Sequence, residues 1–419
     1  MPKFFRLLAY FISFGFARGS LFIAPIVLAN LLSPADYGTV EFVQAVATMG
    51  ATLLGLGTVG AVPLVVVRKV SSASLKSILT HQLVCTAFLG LFAVLGFYLN
   101  LSNIWWLSAL GVGTIMLQTL WSVTLKSLGR GEASLLVDAG FWSLLAMAAS
   151  GAYFFSLDFS TRWMWVVCAL IFYFFILIIR TLRQFLLAAK AEVEASYFST
   201  LRTSMPLMLG ALLSFLATTS GRIGVGFLAA APLMAEYAIL FRATAIPIVA
   251  HQIILVAGFR KIFEMPEQEL EKKLPIIGGA VIFCVIAFWV ASGWLGFLLG
   301  PAFQKSFAAN QRVGLLILVQ CILWSAISIN DLVNARRQIS IFSVRASVVY
   351  FAMALPLAWW VLIQGEVTLQ KFVPIHSLVM VFYFLTQILV MWRHGVRLIR
   401  TWSLALLGFV GLSVLTQAF

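Results

Sequence analysis

Charge is scarce in this 419-residue chain: Asp, Glu, Lys and Arg together make up 10% of it, against 62% hydrophobic residues and a mean hydropathy of +1.04. A soluble globule cannot cover its surface with so little polar material, so the soluble classes are excluded and an integral membrane protein remains. Acidic residues are the scarcer sign, 14 against 28 Lys and Arg, for a net charge of +14. The basic residues stand in short clusters between apolar runs, not in one stripe, so no nucleic-acid partner is expected. Cysteine is sparse as well. Cys85, Cys168, Cys284 and Cys321 each stand alone in apolar surroundings, without metal-ligand spacing or a disulfide framework, and core packing is the expected role of all four. Catalytic patterns are missing too: there are no paired carboxylates on a helix face, no H-E-x-x-H, no G-x-S-x-G and no phosphate-binding loop. No enzyme, catalytic residue, metal or cofactor is therefore expected. The longest connectors run to about a dozen residues, too few for a domain of their own, so any substrate is handled within the membrane.

What the chain does contain is a series of apolar runs of about 18 to 27 residues, the length a helix needs to cross a hydrocarbon core. The first six fall at 7–32, 39–67, 78–99, 104–125, 134–156 and 163–187. After a polar connector holding Lys190, Glu192, Glu194 and Arg202, six more fall at 205–230, 234–258, 275–299, 313–335, 342–363 and 372–392. A short run at 401–419 adds a thirteenth span or an interfacial helix. The reading is an all-α integral membrane protein with a six-helix bundle over 1–195, a second over 196–395 and an additional hydrophobic helix over 396–419. Lys and Arg number about 21 in one set of alternate connectors and about 4 in the other, an asymmetry that places the N-terminus in the cytoplasm. The first run continues past Arg18 without a small-residue cleavage site, so it reads as an uncleaved span. Trp105, Trp106, Trp163 and Trp165 open spans and fit an aromatic belt.

Within the spans, ionisable residues are few and therefore informative. Arg18 lies about 20 Å from the outer end of its run, Glu41 about 8 Å and Arg222 about 14 Å, by helix rise. The segment AEYAILFR at 235–242 echoes ADYGTVEF at 35–42, each after a proline and each opening an even-numbered span. Six spans separate the copies, so both halves insert in the same direction, as parallel repeats related by an axis along the membrane normal. Arg18, Arg222 and Arg242 leave a surplus of positive charge over Glu41. A guanidinium offers a fork that matches phosphate oxygens. Arg18, Arg222 and Arg242 are accordingly the expected substrate-binding set, facing a hydrated cavity; the alternative for each is a structural hydrogen bond to helix carbonyls, or snorkelling for Arg242. Glu41 and Arg242 are expected to pair as an outer gate. Asp138 and Asp331, near inner span ends, are candidates for gating or coupling and read more simply as partners of nearby basic residues. His81, His251 and His376 suit either a proton relay or a polar place at the interface.

Several motifs carry a wider likeness: LLSPADYG at 31–38, GLGTVGAV at 55–62 ahead of Arg68 and Lys69, LKSLGRGE at 125–132, GRIGVGFL around Arg222, AEYAILFRA, and LLGPAFQKS at 298–306. In this order, over nearly the whole chain, they resemble the Wzx-like polysaccharide or O-antigen flippases of the multidrug/oligosaccharidyl-lipid/polysaccharide (MOP) superfamily, relatives of the MATE transporters. The resemblance implies two pseudo-symmetric six-helix bundles in a V around a cationic central cavity. It also implies alternating access that carries undecaprenyl-diphosphate-linked oligosaccharide from the cytoplasmic to the periplasmic leaflet of a bacterial inner membrane. Coupling to H⁺ or Na⁺ would follow, with the lipid-linked glycan, the phospholipid bilayer, and polysaccharide polymerase and chain-length proteins as partners. Members usually have twelve or fourteen spans, so a thirteenth here departs from the pattern. The alternatives are a MATE-like cation-coupled multidrug exporter, which needs buried carboxylates in the early spans where the first offers Arg18, and a membrane polymerase or ligase, which needs a large external loop.

Overall fold

The computed structural model describes residues 19–66, 74–188, 196–244, 247–248, 251, 265, 267–337 and 339–416. Among them every regular element is a helix. In chain order these are α1 (Gly19–Leu31), α2 (Pro34–Leu54), α3 (Thr58–Val66), α4 (Leu75–Tyr98), α5 (Asn103–Ser127), α6 (Gly131–Phe154), α7 (Phe159–Ala188) and α8 (Tyr197–Leu228). There follow α9 (Ala231–Thr244), α10 (Glu267–Leu299), α11 (Pro301–Ala309), α12 (Gln311–Arg336), α13 (Ser340–Leu362), α14 (Leu369–Arg393) and α15 (Ile399–Thr416). Nine of the described helices are long and apolar enough to cross a membrane, so the chain is a multi-pass membrane protein. It divides into two compact units, Met1–Phe215 and Leu216–Phe419, and the division falls inside α8, not at the polar connector near 195.

The first unit is organised around α5, which packs against α2, α3, α4, α6 and α7. Of its apolar stretch 83% is buried, against 39% for α4 and α6 and 33% for α7. Small residues allow this crowding: a Cβ added at Gly111 would come within 2.8 Å of Val43, so α2 and α5 meet almost backbone to backbone. Polar groups fix the helices in register. Gln118 donates to the Asp138 carbonyl at 2.9 Å and accepts from the Phe141 amide at 3.2 Å, while the Trp121 indole donates to Thr181 at 3.0 Å. The second unit is organised in the same way around α12, which packs against α9, α10, α14 and α15 and is 89% buried over its apolar stretch. The C-terminal helix α15 packs on α10 and α12, so it is an integral part of this unit and long enough to span.

Local chemistry explains where the helices differ from the runs read in the sequence. α2 opens at Pro34, earlier than expected, because Ser33 caps it: its hydroxyl accepts from the Asp36 amide at 3.2 Å, with proline in the first turn. The expected single span 39–67 is broken at 55–57, where Leu56 and Gly57 take φ of 45° and 70°, left-handed values that no helix continues through. The break is fully satisfied. His81 Nε2 lies 2.8 Å from the Leu54 carbonyl, Ser204 donates to the Leu56 carbonyl at 2.9 Å, and Thr58 donates to the Gly55 carbonyl at 2.7 Å. The connector after Gly300 forms α11, with Pro301 in its first turn. Only the first part of the expected span 234–258 is described as one helix, α9, ending at Thr244. Trp106, assigned to an aromatic belt, is instead 8% exposed, its indole bonded to Asn103 at 3.1 Å. Cys168, expected in the core, is exposed, while Cys321 is buried; all four thiols are free. Between α6 and α7, hydrogen bonds from Thr161 and Ser160 hold the Asp158 carboxyl below its ordinary range.

Candidate functional site

Arg18, the first cation singled out in the sequence, lies outside the described residues. Arg222 is described, and its surroundings come from two helices of the second unit. It sits six residues before the end of α8, and the turn at 229–230 folds α9 back against it. The Arg222 guanidinium carbon stands 5.3 Å from the centre of the Phe241 ring, and Tyr237 stacks on Phe241 with ring centres 6.2 Å apart. Phe372 on α14 meets Tyr237 edge-on at 5.9 Å and stacks on His376, whose Nε2 lies 2.9 Å from the Ser220 hydroxyl. Arg222 is 8% exposed, so the expectation of a guanidinium lining a hydrated cavity is replaced here by one buried on an aromatic face of its own unit. A cation on an aromatic face keeps its in-plane N–H donors directed away from the ring, so the group retains the geometry to meet an anion from the side.

The other four residues each have a setting of their own. Arg242, half-buried, closes the last turn of α9 directly after Phe241, so it shares a helix with the ring under Arg222. Glu41 is completely buried on α2 in the first unit and accepts a hydrogen bond from Tyr37, one turn earlier, at 2.8 Å. Asp138 forms the 2.9 Å ion pair with Lys126 that its place at a span end suggested. Asp331 has no cationic partner among the described residues: its carboxyl group accepts from the Gln387 amide at 2.8 Å, inside a network that joins α12, α14 and α15. In that network Asn330 donates to Gln387 at 3.3 Å and accepts from the Trp402 indole at 3.1 Å. Its physical reason is depth within the unit: on a helix buried this fully, polar side chains must find partners among neighbouring helices.

Sequence reasoning missed the aromatic surround of Arg222. The signal was present in AEYAILFR, where Tyr237 and Phe241 stand one turn apart and so present a continuous ring face to one side of the helix. Partners from α14, Phe372 and His376, carried no such signal, because they are more than a hundred residues distant in sequence. The histidines resolve individually. His81 is buried, with Nδ1 2.7 Å from the Tyr197 hydroxyl, and His251 is buried edge-on to Trp324 at 6.0 Å.

No family model matches the sequence, and no curated protein does. Solved structures do match in fold. A chain named only "protein A" aligns with a TM-score of 0.62 at 13% identity, covering 94% of this chain and 96% of its own. An inward-facing multidrug resistance MATE family transporter of the MOP superfamily aligns with a TM-score of 0.51 at 13% identity, covering 95% and 94%. A MATE crystal structure in complex with MaD3S aligns at 0.50 with 12% identity, covering 91% and 94%. At such identities the likeness speaks for architecture: the chain has the all-helical fold of the MATE transporters.

Proposed function

We propose that this protein is a membrane transporter that flips an undecaprenyl-diphosphate-linked oligosaccharide, an O-antigen unit or a similar surface glycan, from the cytoplasmic to the periplasmic leaflet of a bacterial inner membrane by alternating access. The observation that carries the reading is Arg222, a buried guanidinium on the face of Phe241. A buried permanent cation is costly in a membrane protein, and an anionic passenger such as a diphosphate offsets that cost most simply. Moving the headgroup through protein spares its hydroxyls and charges the hydrocarbon, where each unsatisfied polar group costs several kcal/mol. Arg18 and Arg242 complete the cationic set in this proposal, the N-terminus faces the cytoplasm, and H⁺ or Na⁺ drives the cycle. The bilayer, a polysaccharide polymerase and chain-length proteins are its partners.

The test is a leaflet-resolved assay of a labelled lipid-linked sugar in proteoliposomes. Arg222→Ala is expected to retain less than a tenth of wild-type flipping, with Arg222→Lys partly restored; unchanged flipping in the Ala variant ends the proposal. A second reading, a cation-coupled multidrug exporter, is supported by the wholly buried Glu41 carboxyl. Efflux of a cationic dye that disappears in Glu41→Gln, with no flipping of the labelled lipid, would favour that reading instead.

A further inference from the structure

The break between α2 and α3 opens onto a cavity of about 300 Å³ whose lining residues all belong to the first unit. Between Trp106 and Leu125 every residue of α5 is buried except Thr119 and Val123, one turn apart, and both line this cavity. The opening in an otherwise covered central helix is therefore the cavity itself. No lining side chain is charged. Three are threonines, yet each hydroxyl already donates to the carbonyl one turn back: Thr48 to Gln44 at 2.9 Å, Thr52 to Thr48 at 2.9 Å and Thr119 to Ile115 at 2.7 Å. Their protons are committed to the helix, and the lining is mostly carbon. Met116 and Met208 supply adaptable thioethers.

From the capped start of α2, helix rise places Thr48 about 21 Å and Gly55 about 31 Å along, a depth within a hydrocarbon core. A sugar or a phosphate would find no free side-chain donor here. We propose that this cavity holds a polyisoprenyl chain. At about 30 Å³ per small group the volume takes roughly ten carbons, or two isoprene units. The assignment of an isoprenoid, as opposed to a straight acyl chain, rests on the flippase reading; the hydrocarbon character of the site does not.

The experiment uses the full chain in phosphatidylcholine nanodiscs and an uncharged polyprenol carrying a diazirine on its second isoprene unit. After illumination, adducts are expected to concentrate at residues 48–60, Met116 and Met208, and to fall at least tenfold with excess unlabelled polyprenol but less than twofold with oleyl alcohol. Thr119→Phe and, separately, Gly60→Leu fill the cavity and should each cut these adducts at least fivefold with the thermal unfolding temperature preserved in at least one of them. Adducts scattered over the outward helix faces, equal competition by oleyl alcohol, or full labelling in a well-folded filled variant would overturn the proposal. The two readings separate cleanly: flipping without cavity labelling removes this site alone, and cavity labelling without flipping removes the proposed function and leaves an isoprenoid site.

Discussion

Helices α5 and α12 occupy the same place in their respective units, fourth among the apolar runs of each half, and are buried to a similar degree, 83% and 89%. Their interiors differ. α5 carries close-packed small residues and uses Gln118 and Trp121 mainly to bind backbone or hydroxyl groups of α6 and α7. α12 carries a carboxylate and amides that bond one another's partners: Gln320 to Ser377 at 2.7 Å, Asn330 and Asp331 to Gln387, and Trp402 from α15 to Asn330. One unit has an apolar opening at its central helix, whereas the other has a polar knot and an aromatic seat for Arg222. A repeated scaffold has thus been given two interiors, and the change lies in a few side chains on the most buried helix of each.

The sharpest way to break the first unit alone is Gly57→Val. The residue holds φ of 70°, and any Cβ there would collide with the backbone of α8 at Ser204 and Met208. Left-handed strain and overpacking together should cost about 3–5 kcal/mol. Maleimide labelling reads the unit affected: Cys85 in α4 should react far faster, while Cys321, 3% exposed in α12, stays protected. Loss of Cys321 protection as well would mean that the two units do not respond separately.

A smaller effect should separate the two interiors. Gln387→Leu strips Asp331 of its amide donor and Asn330 of an acceptor, for a cost of about 2–3 kcal/mol, because two buried side-chain groups are left unsatisfied at once. Gln118→Leu in the first unit removes bonds to neutral backbone groups and should cost about 1–2 kcal/mol. Equal losses in thermal unfolding measurements would erase the distinction drawn between the two central helices. Smallest of all, Asp138→Asn breaks an ion pair with Lys126 whose side chains are 32% and 52% exposed, and should change stability by less than about 0.5 kcal/mol.

Much of this was legible beforehand. Apolar run length marked the helices, as in 104–125 for α5 and 313–335 for α12, and Ser33–Pro34 marked the start of a helix by its capping chemistry. The break at Gly55–Gly57 was visible only as a glycine pair inside an apolar run. Hydropathy could not say that the chain turns left-handed there, since α8 and α4 supply the groups that satisfy the freed carbonyls. At the candidate site the sequence singled out Arg222, Glu41, Asp138 and Asp331 correctly as polar groups in or near spans. It expected a basic partner for both Asp138 and Asp331, which Asp138 has in Lys126, and it missed the aromatic seat of Arg222 and the Gln387 partner of Asp331.

The sequence by itself determined that this is a multi-pass helical membrane protein and where long helices such as α5 and α12 run. The tertiary structure alone decided which helices lie at the centre. Lipid tails are as apolar as a protein core, so hydrophobicity does not distinguish an inward helix from an outward one. The stretches of α7 and α10 are more apolar than that of α5, yet only 33% and 22% buried. Small residues and interhelical hydrogen bonds selected α5 and α12, and those are properties of pairs of helices.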